Sequence, residues 1–228
     1  MAVRYAHEPC VAAYDLMNEP LPILLDDARK LYKWKGRFAF PEEIGERIAV
    51  MFGRMIEAVR GADARHMISV SMFVDNRILK APATYGWENV LYQTHTYGYG
   101  DWRSESEMMR AVQTALEEHC ALAQLWNVPV LAGEFNFWES QKVLTHWLNG
   151  LNALGIGWCG WTYKNTDPEK RDNWGIYYGF DGETPDCEKD EYDDIARKYA
   201  HFTSENYKMN ELLAHTFSQA AHRARKGQ

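Results

Sequence analysis

Residues 11–20 read VAAYDLMNEP, and this stretch decides the fold. Val11 to Leu16 is a short apolar run, closed by the polar turn Met17-Asn18-Glu19-Pro20, whose proline stops a strand. The segment predicts a buried strand that delivers Asn18 and Glu19 at its carboxyl end. Working outward, HMISVSMF (66–73), NVLYQTHT (89–96), VLAGEF (130–135) and GIGWCGWT (155–162) are further apolar runs of strand length. Between the first two strands, Ile44, Ile48, Met51, Phe52, Met55, Ile56 and Val59 trace one face of a helix from Pro41 to about Arg60. Pro41 sits at its start, Glu42 and Glu43 in its first turn, and Gly61 closes it. Ser104 followed by Glu107 is a capping box for a helix to about Trp126. Ser140 opens another, striped by Val143, Leu144, Trp147, Leu148 and Leu151. Continuous apolar strands alternating with amphipathic helices predict an α/β fold, about five parallel strands with covering helices.

The 228 residues suffice for one domain with a sizeable core, and 46% hydrophobic with 25% charged residues is the balance of a folded chain. No apolar run reaches the ~18 to 20 residues of a membrane span, so no membrane partner is expected. A net charge of −7 argues against nucleic acid held by a broad basic surface. Aromatic residues reach 14%, with 9 Trp and 13 Tyr, a supply of flat rings for stacking on sugars as well as for filling a core. Cys10, Cys120, Cys159 and Cys187 include no short pairing, and the apolar surroundings of Cys10 and Cys159 predict buried free thiols. The opening MAVRYAHEPC lacks the apolar core of a signal peptide, which leaves the compartment unassigned. Leu21 to Phe40 reads as a long connection, and an irregular stretch to about Pro185 precedes a charge-rich region of one or two helices. The acidic cluster Asp181 to Asp194 lacks calcium-loop spacing and reads as solvated surface.

Reactive groups recur at the carboxyl ends of the strands: Asn18 and Glu19, His95 and Tyr97, Glu134, and Trp161. In barrels and open α/β sheets that edge is where active sites are built. Singly, each has a structural reading: a turn glutamate before proline, an exposed strand end, a core histidine, a core tryptophan. Jointly, Glu19 and Glu134 face each other across the mouth of the sheet, the carboxyl pair that glycoside hydrolysis needs.

YDLMNEP (14–20) resembles the acid/base motif of glycoside hydrolase family 5, the cellulase family, and HTY (95–97), VLAGEFN (130–136) and GWTYKN (160–165) continue the resemblance in order. The resemblance implies strands four to eight of a TIM (β/α)8 barrel, with Glu19 as general acid/base and Glu134 as nucleophile. It implies substrate-binding roles for Asn18, His95, Tyr97 and Trp161: Asn18 on the sugar 2-hydroxyl, Tyr97 on the nucleophile, Trp161 under the ring. Trp138 is a candidate for a further sugar subsite, as are Tyr99, Trp87 and Trp174, with Asp75 and Asn76 bordering the cleft. The expected activity is retaining hydrolysis of β-1,4-glucan, without metal or organic cofactor, through a covalent intermediate and carboxyls ~5 to 5.5 Å apart. Family members are usually secreted.

The resemblance also implies what is missing. Strands one to three, and an arginine the family places near the nucleophile, have no counterpart here. The expected organisation is a truncated barrel over 1–185 with a C-terminal helical segment over 186–228 packed on it. Five strands cannot close a barrel, so self-association over the open edge is expected. The alternatives are a weakly active or inactive sugar-binding remnant, and a barrel glycosidase acting on mannan or β-1,3-glucan.

Overall fold

The computed structural model describes residues 1–20, 42–72, 78–97, 104–137, 140–166 and 175–226. A short helix α1 (Ala2–Tyr5) precedes β1 (Ala13–Asp15). Then follow α2 (Glu42–Arg60), β2 (Met67–Ser71), β3 (Val90–Tyr97), α3 (Glu105–Trp126), β4 (Val130–Asn136), α4 (Gln141–Ala153) and β5 (Gly157–Trp158). The five strands form one sheet in the order β1-β2-β3-β4-β5, every neighbouring pair parallel. Sequential neighbours in parallel are the mark of a barrel wall, and the sheet with its helices is a half-barrel. Among the described residues β1 and β5 are its edges.

Each helix forms for the reasons its sequence states. Ser104 accepts a hydrogen bond from Glu107 N at the start of α3, and Asn127 ends that helix in a left-handed conformation, its N–H donating to Ala123 O. Ser140 accepts from Val143 N at the start of α4. The i, i+4 row Ile44, Ile48, Phe52 and Ile56 of α2 is buried, as is the stripe Val143, Leu144, Trp147, Leu148 and Leu151 of α4. They share one core with Ile68, Val70 and Met72 of the second strand region and with Tyr92, Ala132 and Phe135. Helices α3 and α4 approach closely at Gly150, where a Cβ would lie 2.3 Å from Leu116 Cδ1. Trp147, fully buried, meets His119, Phe135 and Phe137 edge-on. Its truncation to alanine would cost about 3–5 kcal/mol.

The C-terminal part holds α5 (Tyr192–Ala200), α6 (Glu211–Lys226) and a two-stranded antiparallel ribbon of β6 (Tyr177–Tyr178) and β7 (Lys208–Met209). Strand β6 lies in the stretch that reads as irregular and β7 in the region that reads as helical, because two-residue strands are too short for any periodicity. Helix α6 joins the barrel core through buried Leu213 and Ala220, and Phe217 stacks on Trp158 at 5.6 Å. The acidic cluster is a surface of ion pairs: Lys198 with Asp190 at 2.7 Å, and Arg197 with Glu183 and Asp194.

One expectation is corrected. Cys10 and Cys159 are free but exposed rather than buried. Cys159 follows β5 and lies on the concave face of the sheet, where no described strand stands opposite. Among the described tryptophans, Trp147 is buried, Trp87, Trp126 and Trp158 pack against the core, and Trp161 is exposed. No helix among the described residues is long and apolar enough to cross a membrane.

Candidate active site

The chemistry-bearing side chains meet at the carboxyl ends of the strands. After β1 the chain keeps its pairing for one more residue, Leu16 N donating to Ser69 O, and then turns through exposed Asn18 to Glu19. Glu19 has φ of +41°, a left-handed backbone that a non-glycine residue adopts only when its surroundings enforce it. Buried Pro20 follows directly.

Strand β3 brings His95 and Tyr97 to the same edge, and β4 brings Glu134. Thr94 pairs with Ala132 but His95 pairs with Glu134, so Gly133 is an extra residue, a β-bulge. Its effect follows from strand alternation. Ala132 is fully buried on the helix-covered face, beside Thr94, which bonds His119 of α3. Regular alternation would send Glu134 to that same face. The bulge turns it to the concave face beside His95, and returns Phe135 to the core against Trp147.

His95 lies between the two carboxylates. Its Nδ1 is 2.6 Å from Glu19 Oε1 and 3.5 Å from Glu134 Oε2, with side-chain exposures of 0% for His95, 28% for Glu19 and 12% for Glu134. When Glu19 is ionised it can only accept, and Nδ1–H is then the donor of this bond. Tyr97 Oη donates to Glu134 Oε2 at 2.5 Å. Trp161, 46% exposed, is held beside β4 by its N–H on Phe135 O.

The ligand atoms of Glu19, His95 and Glu134 lie within 4.8 Å of one another, close enough to converge on a divalent cation. The histidine is poorly set up for one. A cation on Nδ1 would move the ring proton to Nε2, which has no acceptor among the described residues. Metal-bound histidines almost always donate that second proton. The arrangement suits a shared proton better.

Of the residues singled out by the sequence, the structure brings together Glu19, His95, Tyr97 and Glu134, with Asn18 and Trp161 on the same rim. Trp87 is elsewhere: it precedes β3, stacks on Tyr85 at 4.5 Å and packs against the core, so it is not a cleft residue. Trp138, Tyr99, Asp75, Asn76 and Trp174 lie outside the described residues. Two polar residues beneath the site escape motif reading. Gln93 is buried, and its Nε2 donates to Asp15 Oδ2 at 3.1 Å. Desolvation on the side that meets the sheet pushes the carboxyl of the partly exposed Asp15 up, against the lowering effect of the Gln93 bond and of the nearby His95. The only signal for them is a polar residue inside an apolar strand.

The half-barrel has relatives among solved structures. Endo-glycoceramidase II from Rhodococcus sp. superposes with a TM-score of 0.54 at 19% identity, over 78% of this chain and 39% of that one. Cel5A of Thermotoga maritima, solved with cellobiose, gives 0.51 at 15%, over 86% and 62%. The endo-β-1,4-mannanase of Thermotoga petrophila gives 0.51 at 17%, over 75% and 40%. The chain thus spans between 39% and 62% of the length of these three. No curated protein matches it in sequence. Residues 1–167, which carry all five parallel strands and every side chain of the site, match the family described as Cellulase (glycosyl hydrolase family 5), and the chain belongs to that family.

Proposed function

We propose that the chain carries the catalytic carboxyl pair of a retaining β-glycoside hydrolase acting on β-1,4-linked glucan. One observation carries the reading: Glu19 and Glu134, from strand ends far apart in sequence, present oxygens within 4.8 Å of each other around one histidine. Inverting chemistry needs carboxyls ~6.5–9.5 Å apart to seat a water, whereas direct attack by one carboxylate needs the closer spacing.

In this reading Glu134 attacks the anomeric carbon while Glu19 protonates the departing glycosidic oxygen. The product of this half is a glycosyl ester on Glu134. Glu19, now ionised, takes a proton from water, whose oxygen attacks the same carbon and frees Glu134. Tyr97 holds the Glu134 carboxylate and His95 orients Glu19. Asn18 is assigned to the sugar 2-hydroxyl and Trp161 to the ring face. Glucan is favoured over the other linkages by the family's cellulase character and by the fold shared with a Cel5A that binds cellobiose. The mannanase and glycoceramidase neighbours make a polysaccharide panel the natural substrate test.

Replacing Glu134 with Gln tests the assignment. Hydrolysis of an activated cellobioside should fall by more than about 10³-fold, and a fluorinated glycoside should add its mass to Glu134 in the parent protein only. Wild-type turnover in the Gln variant would sink the assignment.

A second reading is favoured by the concave face, which no described strand covers and where Asp15 and Cys159 are exposed. Here the chain is a sugar-binding remnant of low turnover. It predicts binding of cello-oligosaccharides by calorimetry without mass gain on Glu134. The two sheet edges, β1 and β5 among the described residues, motivate self-association, in which protomers cover each other's edges. A monodisperse monomer in sedimentation would count against it. Division into a barrel unit over 1–185 and an appended segment over 186–228 belongs to this proposal.

A further inference from the structure

The Gly133 bulge decides where Glu134 points, and a bulge needs support, because the regular register is always an alternative. The support is visible on the concave face. A Cβ at position 133 would lie 2.0 Å from Gln93 Oε1, 2.3 Å from Cγ and 2.4 Å from Cδ, so the Gln93 side chain fills the volume a side chain at 133 would take. Gln93 is 6% exposed, two residues before His95 on β3. Its amide is held from the other side by Asp15 on β1, the strand that leads into Glu19. One side chain therefore joins the strand of one catalytic carboxylate to the bulge that aims the other.

We propose that Gln93, anchored by Asp15 and seated against Gly133, is a positioning residue that holds the β4 bulge and so aims Glu134 at the cleft. Glycine at 133 and glutamine at 93 then work as a matched pair. Any side chain at 133 pushes against a buried amide, and any shortening at 93 leaves the bulge free to relax. This inference rests on Glu134 being the nucleophile for its kinetic consequence, but its geometric content does not.

The test is a small cycle of variants, Gly133→Ala, Gln93→Ala and the double substitution. Each is read by kcat and KM on an activated cellobioside, by thermal midpoint, and by the ¹⁵N shifts of the His95 imidazole, which sits 3.5 Å from Glu134. Gly133→Ala should lower kcat about a hundredfold with KM within about threefold, as expected for a displaced reacting group. Gln93→Ala should lower kcat about tenfold and move the His95 signals. In the double variant the space left by Gln93 accepts the new methyl, so kcat should recover at least about tenfold over Gly133→Ala, a non-additivity that simple destabilisation would not produce. The His95 shifts of the double variant should approach those of Gln93→Ala rather than those of Gly133→Ala. Unchanged kcat and unchanged His95 signals in Gln93→Ala would overturn the proposal, as would a double variant no better than Gly133→Ala. Should Gly133→Ala fail to fold, the other two variants still decide. Should the parent protein not hydrolyse the glycoside at all, the His95 shifts decide the positioning role by themselves, and only the proposed activity falls.

Discussion

Tyr97 Oη, on the last residue of β3, donates a 2.5 Å hydrogen bond to Glu134 Oε2 on β4. Hydrogen bonds to charged groups are worth ~1.5–3 kcal/mol, or about 10- to 100-fold in rate if the bond matters in the transition state. Tyr97→Phe should lower kcat within that range and leave KM nearly unchanged. Steady-state kinetics on an aryl cellobioside checks it, and an unaffected kcat would mean that the phenol does not support the nucleophile.

Glu19 is the partner whose loss should depend on the substrate. In Glu19→Ala a poor leaving group loses its proton donor, and turnover should fall about 10²- to 10⁴-fold. An activated aryl leaving group departs without that proton and should be affected less in the first step. Added azide should then speed the second step and yield a β-glycosyl azide, detectable by mass spectrometry. Equal losses on both substrates, with no azide product, would remove Glu19 from the acid/base role.

His119 gives the fold a pH dependence. Its Nδ1–H donates to Ala115 O and its Nε2 accepts from Thr94 Oγ1, joining α3 to β3 one residue from His95. Burial pushes its pKa from 6.5 to about 4, against a smaller opposing effect of the Ala115 carbonyl. Below pH 6.5 the unfolded chain binds a proton that the folded chain refuses until about 4. Stability present above 6.5 is thus lost as pH falls to about 4, an effect on the order of 3 kcal/mol. His119→Gln should be less stable at pH 7 and show a flatter decline across that window in urea titrations. A decline as steep as the parent's would place the titrating group elsewhere.

Asp63 acts at lower pH. Burial alone would raise its pKa, but donors from Arg65 N, the His66 ring, Tyr14 Oη and His66 N outweigh it and hold the carboxyl well below the usual range. A depressed carboxylate adds stability above its ordinary pKa, and that stability is lost as pH falls below about 4. Asp63→Asn should melt lower than the parent at pH 7, and the two midpoints should converge in acid. A constant gap between them would show that the loss is packing rather than charge.

Much of this was legible along the chain. The helix from Glu42 to Arg60 follows from the spacing of Ile44, Ile48, Phe52 and Ile56, and the starts at Ser104 and Ser140 from their caps, because these are local interactions. Glu19, His95, Tyr97 and Glu134 stand out since each lies at or near the carboxyl end of an apolar run. The extent of the edge strands was less legible: β5 is two residues long where GIGWCGWT promised more. Cys159 is exposed although the run around it is apolar, because exposure depends on what stands across the sheet.

The sequence by itself determined the order of strands and helices, the side chains that reach the sheet's carboxyl edge, and the family, since periodicity, caps and motifs are carried by neighbouring residues. Only the tertiary structure decided which way those side chains face. Glu134 would point into the core by alternation and reaches the cleft through a bulge at Gly133, which shows only in the pairing of two strands. The Gln93–Asp15 bond and the His95–Glu19 bond depend likewise on distances across the sheet, between residues 76 or more apart in the chain, and the approach of His95 to Glu134 depends on the pairing of β3 with β4.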